Sequence, residues 1–129
     1  MIVDCANVIA NPKAGQKAKD VVKVLIARGF CTNDGVLFRS TLTLDRGASA
    51  YEALAATGLP MTVRNTSMGH YIAAISGLQE MDGGPQSGWI YLVNGTMPGV
   101  GADGFTLSHG DQMRWRYTIA KGDALSNLP

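Results

Sequence analysis

The chain has 129 residues, of which 46% are hydrophobic, 16% charged and 7% aromatic, with a formal net charge of +1. These values exclude disorder as the default state and exclude a global basic field that would steer the chain to nucleic acid; the length fits one domain, residues 1–129, with a real core. No run of about 18 apolar residues occurs, so no segment is expected to insert directly into a membrane.

Strand-like sequence begins at Ile2 with no basic, apolar, cleavable leader ahead of it, which fits either a cytosolic protein or a mature domain already trimmed. Ile2 to Asp4 reads as a short strand. From Lys13 to Arg28, the apolar residues Ala14, Ala18, Val21, Val22, Leu25 and Ile26 recur at helical spacing, and Gly29 supplies a stop. Next, "VLFRSTLTLD" (36–45) alternates like a strand, with a break around Ser40 that reads as a bulge or a change of face. Ser49 can cap a helix carrying Tyr51, Leu54 and Ala55, which Gly58 and Pro60 end. Four more strands are expected at Met61–Arg64, Tyr71–Ser76, Gly88–Val93 and Gln112–Ile119. Strands outnumber helices, and the order predicts an α+β fold with a mixed sheet wrapped over one main helix, plus the additional N-terminal helix.

Gly99, Gly101 and Gly104 spell G-x-G-x-x-G, the spacing that holds a dinucleotide pyrophosphate when a strand enters the loop and a helix leaves it. Here the next periodic segment, "QMRWRYT", alternates as a strand does, so no helix N-terminus is available and the dinucleotide reading fails. The preceding "WIYLVNG" instead meets Asn94-Gly95, a strong signal for a type I′ hairpin turn, and His109-Gly110-Asp111 reads as a second turn. The glycines are then read as backbone punctuation in a looped hairpin.

Trp89, Tyr91 and Val93 share one strand face, as do Met113, Trp115 and Tyr117, which predicts an aromatic core; Trp89, at the strand's start, is the better ligand candidate. On the opposite faces, Ile90 and Leu92 would meet Arg114 and Arg116, read as a solvated outer surface. His70 and His109 each stand alone, and Asp82, Asp103 and Asp111 read as turn residues rather than calcium ligands. Nothing in the spacing nominates a nucleophile or general base, so no catalytic residue is assigned and an enzyme is not expected. Cys5 and Cys31 suit one bridge or two buried thiols.

The stretch from Tyr71 to Thr118 resembles the transcobalamin-like C-terminal domain of bacterial extracytoplasmic proteins. The resemblance rests on Ser87-Gly88-Trp89, Tyr91, Val93-Asn94-Gly95, His109-Gly110-Asp111 in place of D-G-D, and Trp115, Tyr117 and Thr118. More loosely, Asp4-Cys5, "DGVLF" (34–38) and "GASAYEAL" (47–54) resemble the family's opening strand and helix start. The resemblance implies a β-grasp fold whose sheet grips the helix that begins near Ser49. In vertebrate transcobalamin and intrinsic factor the related domain is the smaller half of a clamp around cobalamin, and the larger helical half has no counterpart in this sequence.

By similarity, Trp89 matches a tryptophan on the ligand side, and the loop from Thr96 to Asp103 matches the rim. The implied ligand-binding set is Trp89, Tyr91, Asn94, Gly99, Gly101 and Asp103. The resemblance further implies a non-catalytic, extracytoplasmic ligand-binding or interaction module, corrinoid-related, with no resident cofactor and no metal site. Its partner would be a small molecule or a neighbouring protein domain. The alternatives are a structural or adhesion domain of a bacterial cell-surface protein, or a weak metal-binding domain. The implied setting permits oxidation, and a Cys5–Cys31 bridge is then expected.

Overall fold

The computed structural model describes all residues from Met1 to Pro129. Strand β1 (Ile2–Asp4) lies between β2 (Val36–Arg39), antiparallel to it, and β7 (Met113–Thr118), parallel to it; β6 (Gly88–Val93) completes the order β2-β1-β7-β6. A second sheet has the order β3-β4-β5, from β3 (Met61–Thr66), β4 (Gly69–Ile75) and β5 (Leu78–Gln79). The α+β expectation holds, with two sheets where one mixed sheet was expected. Between β4 and β6 no strand pairing forms, and this seam becomes the candidate site.

Because side chains alternate along a strand, the register fixes which residues share a face. Phe38, Val3, Trp115 and Tyr91 fall in one row across the first sheet and point into the core. They meet helix α3 (Ala50–Ala56), whose inner face is Ala50, Ala53 and Leu54; Ala55, expected inside, is exposed. Helix α3 starts where the sequence requires. Ser49 Oγ accepts from the Glu52 N–H at 3.1 Å while Glu52 Oε1 accepts from the Ser49 N–H at 3.1 Å, a reciprocal capping box that satisfies two otherwise orphaned donors.

No periodicity in the sequence marks helix α1 (Ala6–Ala10). It is a five-residue turn of helix, held by tertiary contacts: the Asp4 carboxylate accepts the Ala6 N–H at 3.1 Å, and Gly35 (φ +93°) presses so close that a Cβ there would lie 2.8 Å from Ala6 N. Helix α2 (Gln16–Ala27) starts three residues later than its periodicity predicts, because Gly15 abuts the backbone of Asp82 and Gly83. Gly29, at φ +79°, ends it as expected. The strand expected over 36–45 stops at Arg39: the break at Ser40 is where pairing ends, the Ser40 N–H making a last bond to Met1 O, and residues 40–45 run on without a partner strand. Strand β5 is likewise absent from the sequence pattern; Ser76 (φ 52°) and Gly77 (φ 81°) make a two-residue turn that folds it back onto β4.

The outer face of the first sheet corrects a second expectation. Leu92 is 1% exposed and Arg116 is 0% exposed, so this face is not a solvated basic strip. Helix α1 and the chain beyond β7 cover it. Arg116 Nε and Nη2 donate to the Asp4 carboxylate at 2.9 and 3.1 Å, and its remaining N–H groups reach the carbonyls of Ala124, Ser126 and Asn127. Every donor of the guanidinium fork is thus used, the condition under which a buried charge is tolerated. Asn7, also buried, adds bonds to Tyr117 O, Asp123 O and the Asn127 side chain, fastening the same segment.

Cys5 and Cys31 are thiols in the structure, with Sγ atoms 3.9 Å apart. The expected bridge is therefore not formed here, since a bond needs about 2.0 Å, although the loop ends are already adjacent. The Cys5 thiol is pushed well up by its hydrogen bond to Cys31 and by burial, whereas that same bond lowers Cys31; exchange at the pair proceeds through a thiolate. Oxidation with a mild disulfide reagent is expected to consume both thiols within one monomer, the reaction slowing as pH falls; thiol titration beside non-reducing mass spectrometry checks it, and a covalent dimer would contradict it.

A candidate binding cleft between two sheet edges

The Asn94-Gly95 turn has positive φ at both residues (52° and 81°), as a type I′ turn demands, and it reverses the chain at the end of β6. The chain then makes an excursion from Thr96 to Gln112 before β7. Ala102–Gly104 form one turn of 3-10 helix and the residues after it are extended, so the G-x-G-x-x-G segment presents no α-helix. Gly99, Gly101 and Gly104 themselves have no positive φ, and a Cβ at any of them would meet nothing closer than 3.6 Å. Backbone geometry does not require glycine at these three positions, which corrects their reading as punctuation; the turns at Gly95 and Gly110 are the places where it does.

The excursion is pinned at several points. Tyr91 Oη donates to Val100 O at 2.6 Å, and burial pushes its hydroxyl pKa up. Asp103 accepts the His70 backbone N–H at 2.5 Å and lies 3.0 Å from His70 Nδ1, and the His70 ring stacks on Tyr51 at 4.2 Å. This approach needs Gly69: at φ +106°, a Cβ there would stand 2.5 Å from Asp103 Oδ2. Past the loop, the Ala50 N–H donates to Phe105 O, tying the excursion to the start of α3.

Under this loop, between the unpaired edges of β4 and β6, lies an open cleft of about 270 Å³. Ile72, Trp89, Tyr91 and Trp115 form its buried floor; His70, Tyr71, Ile90, Met97, Pro98 and Val100 form its rim. Of the residues expected at a ligand site, Trp89, Tyr91 and Gly101 line the cleft. Asn94 does not: its side chain bonds Asp111 and the Gln112 N–H and so closes the turn. Gly99 stands free of the wall, and Asp103 sits behind it, orienting His70. Trp89 is only 8% exposed, its indole N–H donates to Leu78 O at 2.9 Å, and its ring meets Tyr117 edge-on, so it contributes apolar surface and no free donor.

Sequence reasoning leaves five of these residues out, the rim residues Tyr71 and Ile90 among them. Trp115, assigned to the core, also lines the floor, and its Nε1–H is buried without a partner. His70 is not alone but paired and stacked. Ile72 has no signal beyond strand alternation. Asp82, Asp103 and Asp111 occupy separate places: Asp82 accepts the Gln79 N–H and pairs with Lys17 at 3.5 Å, and Asp111 accepts from Ser108 and Asn94. No group of three or more His, Cys, Asp or Glu side chains converges anywhere in the chain. No helix is long and apolar enough to cross a membrane.

The Asp103 anchor is pH-dependent. Its carboxyl is held below the usual aspartate range chiefly by the His70 backbone N–H, with the His70 side chain adding to this. A carboxyl whose native pKa is depressed contributes stability that is present above the unfolded value of about 4 and is lost as pH falls through the native value. The His70 amide proton is expected to shift upfield over that acid window in an NMR titration, and Asp103→Asn to flatten the transition; an unchanged titration in the variant would place the coupling elsewhere.

A gripped helix, paired sheets and a loop-roofed cleft define an α+β domain of the β-grasp kind. Residues 47–119 match the family described as a domain of unknown function, DUF4430, and the chain belongs to that family. No curated protein sequence matches it. Its fold is similar to that of haptocorrin in a crystal structure in complex with Cbi, with a TM-score of 0.56 and 21% identity. That likeness covers 67% of this chain and 22% of the haptocorrin chain, so the chain corresponds to a minor part of that protein's length.

Proposed function

We propose that this is a non-catalytic module acting outside the cytoplasm, of transcobalamin-like type, which holds one side of a corrinoid-class small molecule against the apolar wall of the β4/β6 cleft. The observation that carries the reading is the cleft itself, apolar on floor and rim, with a few polar groups at its edge, the usual make-up of a small-molecule site. Two further observations support it. The fold is shared with a protein crystallised with Cbi, and the Trp115 indole N–H is left for an acceptor. At about 270 Å³ the cleft is smaller than a typical drug-sized pocket, which suits partial engagement, with another surface covering the rest of the ligand. Neither a resident cofactor nor a nucleic-acid partner enters this reading.

The test is calorimetric titration with cobinamide and cobalamin. Saturable binding that Val100→Asp at the exposed rim abolishes, with the fold unchanged by circular dichroism, is the expected result. No heat up to about 1 mM ligand would reject the small-molecule reading for this chain. A second reading, docking of a neighbouring protein domain, is favoured by the exposed side chains at and beside the rim: Met68 is 88% exposed, and Met97 and Val100 are each more than half exposed.

A further inference from the structure

A second, larger concavity shares no residue with the β4/β6 cleft. It is a trough of about 1290 Å³ between the unpaired segment 40–48 and residues 106–114, floored by the edge of the first sheet. Three arginines line it: Arg39 on β2, Arg114 on β7 and Arg46 on the segment opposite. Register places Arg39 and Arg114 on the same face, on either side of Ile2, two strand spacings or about 10 Å apart. None of the three takes part in any ion pair of the chain.

The chain's other inward arginine shows what is missing. Arg116 has all its donors used, whereas Arg114 Nη1 is buried with no hydrogen-bond partner. A buried, charged donor without an acceptor is costly and calls for a group that satisfies it. Two acidic side chains line the trough, but they do not serve: both Asp111 oxygens are engaged by Asn94 and Ser108, and Asp45 lies in no ion pair. Thr41, Thr43, Ser108 and Gln112 add neutral hydrogen-bonding groups to the walls.

We infer that this trough is an oxyanion site, in which Arg114 anchors a carboxylate or phosphoryl group and Arg39 and Arg46 hold it from the mouth. A planar guanidinium fork matches both oxyanions in two parallel hydrogen bonds, and a site made of arginines on two strands and a facing segment, with hydroxyl neighbours, selects for charge and geometry rather than bulk. The site is independent of the corrinoid reading, having no wall in common with that cleft.

The experiment is an NMR titration at constant ionic strength with inorganic phosphate in one arm and succinate in the other. Saturable shifts are expected at the amides of Ile2, Gln112 and Arg114. Arg114→Met should weaken the response about tenfold or more, the worth of a hydrogen bond to a charged group. Because that variant removes a partly buried side chain, Arg46→Gln on the exposed segment carries the test where folding fails, with a severalfold loss. Arg28→Gln, at the end of α2 and outside the trough, should leave binding unchanged. A response to phosphate alone assigns a phosphoryl ligand, and a response to succinate alone a carboxylate; either supports the site. No saturable shift with either anion up to about 50 mM, or an equal loss in Arg28→Gln and Arg46→Gln, would overturn it.

Discussion

Asp4→Ala is expected to lower the free energy of unfolding by about 3–5 kcal/mol, since it strands the Arg116 guanidinium in a site with no access to solvent. Asp4 and Arg116 are both 0% exposed, and the two-pronged bond between them is the only charge compensation on that face of the sheet. The same carboxylate also accepts the Ala6 N–H, so its loss removes a support of α1 as well. Urea unfolding measures the cost. A second readout separates this mechanism from simple core damage: the chain from Ala120 onward, held by three Arg116 bonds, should lose amide-exchange protection and become open to protease while β6 and β7 stay protected. The paired replacement Asp4→Leu with Arg116→Met removes both charges together, and should recover much of the stability that either change alone destroys. A double variant no more stable than the singles would show that the ion pair is not what makes Asp4 matter.

Leu54→Ala should cost a comparable amount, about 2–5 kcal/mol, by leaving a cavity where the gripped helix meets the sheet. Leu54 is fully buried, in a core cluster that draws residues from both sheets as well as from α3, so the site cannot collapse by moving one element alone. Chemical denaturation gives the magnitude, and the midpoint should move without a change in slope, the sign that stability rather than compactness has changed. A loss below about 1 kcal/mol would mean that the wall relaxes into the void and that α3 is not the axis of the fold.

Much of the fold is legible locally. Ser49 with Glu52 specifies the start of α3, Gly29 the end of α2, Asn94-Gly95 the type I′ turn, and alternation the inner faces of β6 and β7. Each of these signals acts over a few residues, where propensity, capping and turn chemistry decide the outcome. Half of the expected site also falls at the cleft, because Trp89, Tyr91 and Gly101 belong to one strand and the loop that leaves it.

The tertiary structure alone decided the rest. Alternation tells which side Arg116 faces but not that residues 120–129 return to cover that side, so local pattern places in solvent a charge that the fold buries. The strand at Arg39 ends because pairing ends there, although the alternating pattern runs on, and α1 exists because Gly35 and Asp4 hold five residues too few to be helical by themselves. The cleft arises because β4 and β6 pass side by side without pairing, bringing together residues far apart in the chain. Short-range physics writes turns, caps and faces into the sequence; which face gets covered, and which edges stay apart, depends on contacts between distant segments that no local pattern encodes.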